Sequence, residues 1–114
     1  MKRELTRNWP RADSIMAKAV APLAKALDVT VTDDGLSVDL DDGRTITVPL
    51  AWYPRLLNGT PQERSHWRLI GKGEGIHWPD LDEDISVENL IVGKPSSESQ
   101  RSLQRWLAER QRRE

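Results

Sequence analysis

Residues 29–50 alternate apolar and polar positions in three runs, broken by two Asp-Gly pairs. The runs VTVT, LSVDL and TITVPL place Val29 and Val31, then Leu36, Val38 and Leu40, then Ile46, Val48 and Leu50, on one side of an extended chain. Asp-Gly supplies the positive φ angles of tight hairpin turns, so Asp34-Gly35 and Asp42-Gly43 predict a three-stranded antiparallel meander. Its apolar face needs a cover. Upstream, behind an aperiodic arm over residues 1–10, Ile15, Met16, Ala19, Val20, Leu23 and Leu27 recur at helical spacing after Asp13 or Ser14 as N-cap. Pro22 interrupts that pattern and predicts a bent helix or two short ones.

Past the meander the period changes. Trp52, Tyr53 and Pro54 lead into a helical turn through Leu56 and Leu57, stopped by Asn58-Gly59. Thr60-Pro61-Gln62-Glu63 is a capping box with proline at the first helical position, and it opens a helix through Trp67 or Leu69. Gly71, Gly73 and Gly75 make a tight turn across which Ile76 to Trp78 pairs with Arg68 to Ile70. Ser86 caps a short helix from Val87 to Val92, ended by Gly93. Lys94-Pro95-Ser96-Ser97 is a linker, and the charged helix after it carries only Leu103, Trp106 and Leu107 as an apolar stripe. So thin a stripe fits docking on the domain edge or on a second copy, which leaves a homo-oligomer open. The expected fold is α+β: a small antiparallel sheet with a three-strand meander, covered by short helices. Its parts are an N-terminal arm and helix (1–28), a core domain (29–93), and a linker with a basic amphipathic C-terminal helix (94–114).

Composition narrows the chemistry. Five Trp and no Phe make each Trp, taken alone, a core residue. No Cys is present, which excludes a disulfide framework, a thiol nucleophile and a thiolate metal site. The N-terminus is basic but has no apolar run behind it, and no stretch approaches a membrane span, so a cytoplasmic protein without a membrane partner is expected. The net charge of −1 hides an uneven distribution. Residues 1–27 carry +4, residues 28–93 carry −8 and residues 94–114 carry +3. An acidic body between basic ends disfavours nucleic acid lying across the body and favours a basic partner there.

Chemistry is densest in GIHWPDLDEDISV, Gly75 to Val87. Asp80, Asp82 and Asp84 have the alternation that opens a calcium loop, but Ile85 and Ile91 stand where that loop needs Gly and Glu. The acids read instead as caps for the following helix and as partners for Arg55, Arg64 or Arg68, with no metal and no cofactor. His77 with nearby carboxylates outlines a small enzyme, and His66 is a second acid–base candidate. Gly71-Lys72-Gly73-Glu74-Gly75 lacks the Ser or Thr that follows the P-loop lysine and is a turn. Arg101, Arg105, Arg110, Arg112 and Arg113 could follow a phosphate backbone, giving a nucleic-acid-contacting regulator as an alternative. Trp52, Tyr53, Arg55, Trp78, Asp82, Glu83 and Asp84 form a protein-binding patch if the two segments that carry them meet.

AWYPRL (Ala51 to Leu56), TPQERSHWRLIGKGEGIHWPDLDEDISVENLIVG (Thr60 to Gly93) and the preceding DGRTITVPL resemble the bacterial and phage family catalogued as domain of unknown function 2442. The likeness spans about Val29 to Gly93, and HWP followed by LDEDISV is its most specific part. It implies a compact α+β domain with no agreed enzymatic activity, in a group associated with antitoxin-like or small regulatory roles. It supplies no catalytic residue. The expectation is a non-enzymatic binding module, antitoxin-like or regulatory, whose acidic body engages a basic protein such as a small toxin.

Overall fold

The computed structural model describes residues 23–113. The arm and most of the helix expected over residues 1–28 lie outside them. Helical spacing does not extend to Leu27, which lies inside the first strand and is exposed.

The meander forms as the alternation dictates. Strands β1 (Ala26–Val31), β2 (Gly35–Leu40) and β3 (Thr45–Pro49) lie in that order, antiparallel throughout. A bulge between Ala26 and Asp28 leaves Leu27 without a facing residue, which accounts for its exposure. The two turns differ from each other. The β2–β3 loop is Asp41-Asp42-Gly43, with Gly43 at φ +94 and its N–H on the Leu40 carbonyl, the three-residue loop that needs a left-handed glycine. The β1–β2 turn does not use Asp-Gly this way: Gly35 is already in β2 and has no positive φ. There the Thr32 hydroxyl accepts the N–H groups of Asp34 and Gly35, so threonine directs the turn.

A 3-10 turn (Leu50–Trp52) leads to helix α1 (Pro54–Leu57) and then α2 (Pro61–Ser65). The capping box is complete: the Thr60 hydroxyl accepts from the Glu63 N–H, and the Glu63 carboxylate accepts from the Thr60 N–H. The helix stops at Ser65, short of the expected Trp67. The Arg64 carbonyl, which would take the next helical bond, instead takes the buried Trp78 indole N–H at 2.9 Å. Residues 68–70 are thereby free to pair as a strand.

The second sheet is β4 (Arg68–Ile70), β5 (Gly75–Trp78) and β6 (Glu83–Ser86), again antiparallel. Its first hairpin is the predicted one. Its third strand corrects the reading of the acids as helix caps. Glu83 and Asp84 are strand residues facing Trp78 and His77, and the Ser86 hydroxyl alone caps α3 (Val87–Val92) by accepting the Asn89 N–H. Leu81, in the β5–β6 turn, is fully buried and pins that turn to the core. Gly59 permits this, because a Cβ there would lie 2.9 Å from a Leu81 methyl. The helix α4 (Gln100–Arg113) begins after Ser99, whose hydroxyl accepts the Ser102 N–H.

One hydrophobic cluster joins both sheets: Val29, Leu36, Val38 and Val48 from the first, Ile76, Trp78 and Ile85 from the second, with Leu56, Leu81 and Leu90 between them. Trp78 is its largest fully buried side chain. Trp78→Ala removes that volume and the bond to Arg64 together, and is expected to cost about 4 kcal/mol. Thr60→Ala removes only a cap and is expected to cost about 1 kcal/mol. Urea unfolding of the two variants against the parent should separate them in that order.

Candidate functional site

The two segments singled out in the sequence do meet. Helix α1 carries Arg55, with Pro54 at its first position, and the β5–β6 turn carries Asp82. Asp82 adopts a left-handed conformation (φ 51) that non-glycine residues seldom take, and its side chain is 88 % exposed. Arg55 reaches across, donating Nη1–H to the Asp82 carbonyl oxygen at 3.0 Å, with the Asp82 carboxylate 3.5 Å away. Its remaining donors go to Glu98, in the segment between α3 and α4. Nε lies 2.9 and 3.0 Å from the two carboxylate oxygens, and Nη2 lies 2.6 Å from one of them. Both side chains are mostly buried (15 % and 11 % exposed), so this is a forked, charge-assisted pair in a dry setting.

The same segment is tied down beside it. The Tyr53 hydroxyl donates to the Lys94 carbonyl, the Ser96 N–H donates to the Trp52 carbonyl, and the Ser102 hydroxyl donates to Glu98 at 2.7 Å. The result is a polar cleft of about 470 Å³ with Arg55 at its base. Asp82, Glu83 and Asp84 line one wall, and Lys94 to Glu98 with Ser102 line the other. The Arg55 guanidinium and the Ser102 hydroxyl hold the Glu98 carboxyl below its ordinary pKa. Glu83 behaves oppositely. Burial pushes its pKa up to about 7, and the charges of Glu98 and Asp84 add to that, against the pull of the Asp84 N–H and Arg55.

The other predicted residues divide clearly. Trp78 is fully buried, which removes it from any surface patch; Tyr53 is nearly so and reaches only the lining of the cleft, and Trp52 is half-buried against the core. His77 faces Asp84 across the β5–β6 pair and hydrogen-bonds to its carboxylate, and it does not line the cleft. His66 bonds to Asp80 at 2.7 Å on the surface. Each histidine thus meets one carboxylate, and among the described residues no group of three His, Asp or Glu side chains is placed to hold a metal. Arg64 pairs with Asp33 and not with the acidic turn.

The C-terminal helix docks on its own domain. Trp106 packs against the core cluster with Arg55 on one ring face at 5.0 Å and Arg110 at 4.8 Å. Arg110 also pairs with Glu63 at 2.9 Å, so it is turned toward the body and is not on the outer, phosphate-facing side expected of it. Arg101 and Arg105 are exposed, while Arg112 and Arg113 lie near Glu109 at 2.6 and 4.0 Å.

Glu98 escaped sequence reading. It stands in a serine-rich linker 43 residues from Arg55, and no local pattern links the two.

A family model described as "Protein of unknown function (DUF2442)" matches residues 26–96. The chain belongs to the DUF2442 family. The DUF2442 match covers both sheets, α1 to α3 and Arg55, and it ends before Glu98 and α4. A crystal structure of a protein of unknown function from Rhodospirillum rubrum is similar, with a TM-score of 0.59 and 24 % identity over 68 % of this chain and 95 % of that one. A solution structure of an uncharacterized protein from Chromobacterium violaceum has a TM-score of 0.57 and 18 % identity over 95 % of this chain and 96 % of that one. Both likenesses concern the fold. No curated protein matches the chain.

The raised pKa of Glu83 makes stability fall with pH. A carboxyl that binds its proton more tightly folded than unfolded contributes fully below its ordinary value of 4.5, and the contribution is lost as pH rises to about 7. Over that window the parent should lose about 1–2 kcal/mol relative to Glu83→Gln, less than the full linkage value because part of the side chain stays in water. Denaturant melts of both proteins at pH 5 and 7.5 measure the difference.

Proposed function

We propose that the protein is a non-enzymatic binding module, antitoxin-like or regulatory, whose acidic face engages a basic protein. The supporting observation is the convergence of Asp82, Glu83 and Asp84 on one open polar cleft, with the Asp82 and Asp84 side chains 88 % and 68 % exposed. These are the carboxylates that a lysine or arginine side chain of a partner can reach. The surrounding −8 of residues 28–93 steers a cation toward them.

The contact surface is smaller than the seven residues named from the sequence. Trp78 and Tyr53 serve the core, and Arg55 serves the chain's own Glu98, leaving the three acids. The enzyme alternative required His77 in a cleft with two carboxylates, and His77, which does not line the cleft, bonds to the Asp84 carboxylate.

The test is co-expression with candidate basic proteins, starting with the product of any small basic reading frame beside the gene. Affinity for the true partner should fall about tenfold for each of Asp82→Lys and Asp84→Lys and should weaken with added salt. Asp34→Lys, in the β1–β2 turn, should change it little. Binding indifferent to both Asp82→Lys and Asp84→Lys would rule the cleft out as the contact.

A further inference from the structure

We propose that the Arg55–Glu98 pair is a proton-operated latch on the C-terminal helix: ionisation of Glu83 loosens it and lets the segment from Lys94 to Ser102 lift off the cleft. The inference concerns how the chain closes on itself and stands whether or not the cleft binds a basic protein.

The first support is the way α4 is held. None of its described residues is buried. It is attached by Arg55–Glu98 just before it, by Arg110–Glu63, and by Trp106, which packs against the edge of the core and meets both guanidinium groups. Such a contact can open while the fully buried side chains stay in place, because water can replace its ion pairs and its hydrogen bonds through Lys94 and Ser96, and Trp106 is only partly buried.

The second support is the position of Glu83. It shares the cleft with both members of the clamp. The groups around it are Arg55 on α1, Tyr53 just before it, Asp82 in the turn, Asp84 on its own strand, and Lys94 and Glu98 on the far wall. His77 of β5 is bonded to Asp84. Cover by the neighbouring chain, together with the charges of Glu98 and Asp84, opposes ionisation, and Arg55 favours it.

Lifting the far wall changes these influences unequally. Glu98 departs with the segment, whereas Arg55 stays behind on α1, freed from Glu98 and available to Glu83. Ionised Glu83 is therefore better accommodated in the lifted form. The docked form binds the extra proton, so docking weakens as pH rises toward about 7 and levels off above.

Hydrogen exchange on the full-length protein tests this, with α4 amides compared with those of β2 as an internal reference for folding. At pH 5, 6, 7 and 8, the protection factors of residues 100–113 relative to β2 should fall at least about tenfold from pH 5 to 7 and then stay level. Glu83→Gln should keep α4 protected throughout, and Glu98→Gln should leave it poorly protected at every pH. A flat profile in the parent overturns the proposal. So does a pH-dependent fall that persists in Glu83→Gln while β2 stays protected. The parent's profile decides alone if either variant fails to fold.

Discussion

The guanidinium of Arg64 holds the parts of this domain in register. It donates Nε–H to the Leu56 carbonyl and Nη2–H to the Leu57 carbonyl, both at 2.9 Å, closing the C-terminal end of α1. A third contact at 2.9 Å reaches Asp33 in the β1–β2 turn. Its backbone carbonyl receives the Trp78 indole. One residue therefore joins the meander, both short helices and the second sheet. Helices of four and five residues have little stability of their own, and they persist here because their ends are satisfied by groups fixed elsewhere.

Around that centre, charge does work that apolar area usually does. The C-terminal helix offers the body a narrow stripe, and its seat is made of Arg55, Trp106, Arg110 and their carboxylates. Half-dry ion pairs add little net stability, but they tolerate few geometries, because a misplaced charge is costly. Glu63 shows the economy of the arrangement. The carboxylate that completes the α2 capping box also receives Arg110, and that cation holds its pKa low.

What could be read from sequence follows the range of the interactions. Alternation in β1 to β3, the capping box at Thr60 and the stop at Gly93 are written within a few residues, and all three stand in the structure. The strand Glu83–Ser86 was hidden because its four residues offer a single buried apolar side chain, Ile85, after a run of acids that looks like loop. The first Asp-Gly pair misled because Thr32, two residues before it, supplies the turn's hydrogen bonds. The cleft was legible by half. Its acids and Arg55 stand out in the sequence, but Glu98 becomes meaningful only when the fold brings the linker back over α1.

The Arg55–Glu98 pair also crosses the edge of the region that the family model matches. Arg55 lies within the region that defines the family, whereas Glu98 lies two residues past its end. A chain cut at that boundary would uncover a guanidinium that is mostly buried in the full chain and discard its counter-charge. The fold therefore closes this charge pair across the edge of the shared domain, with one partner on each side.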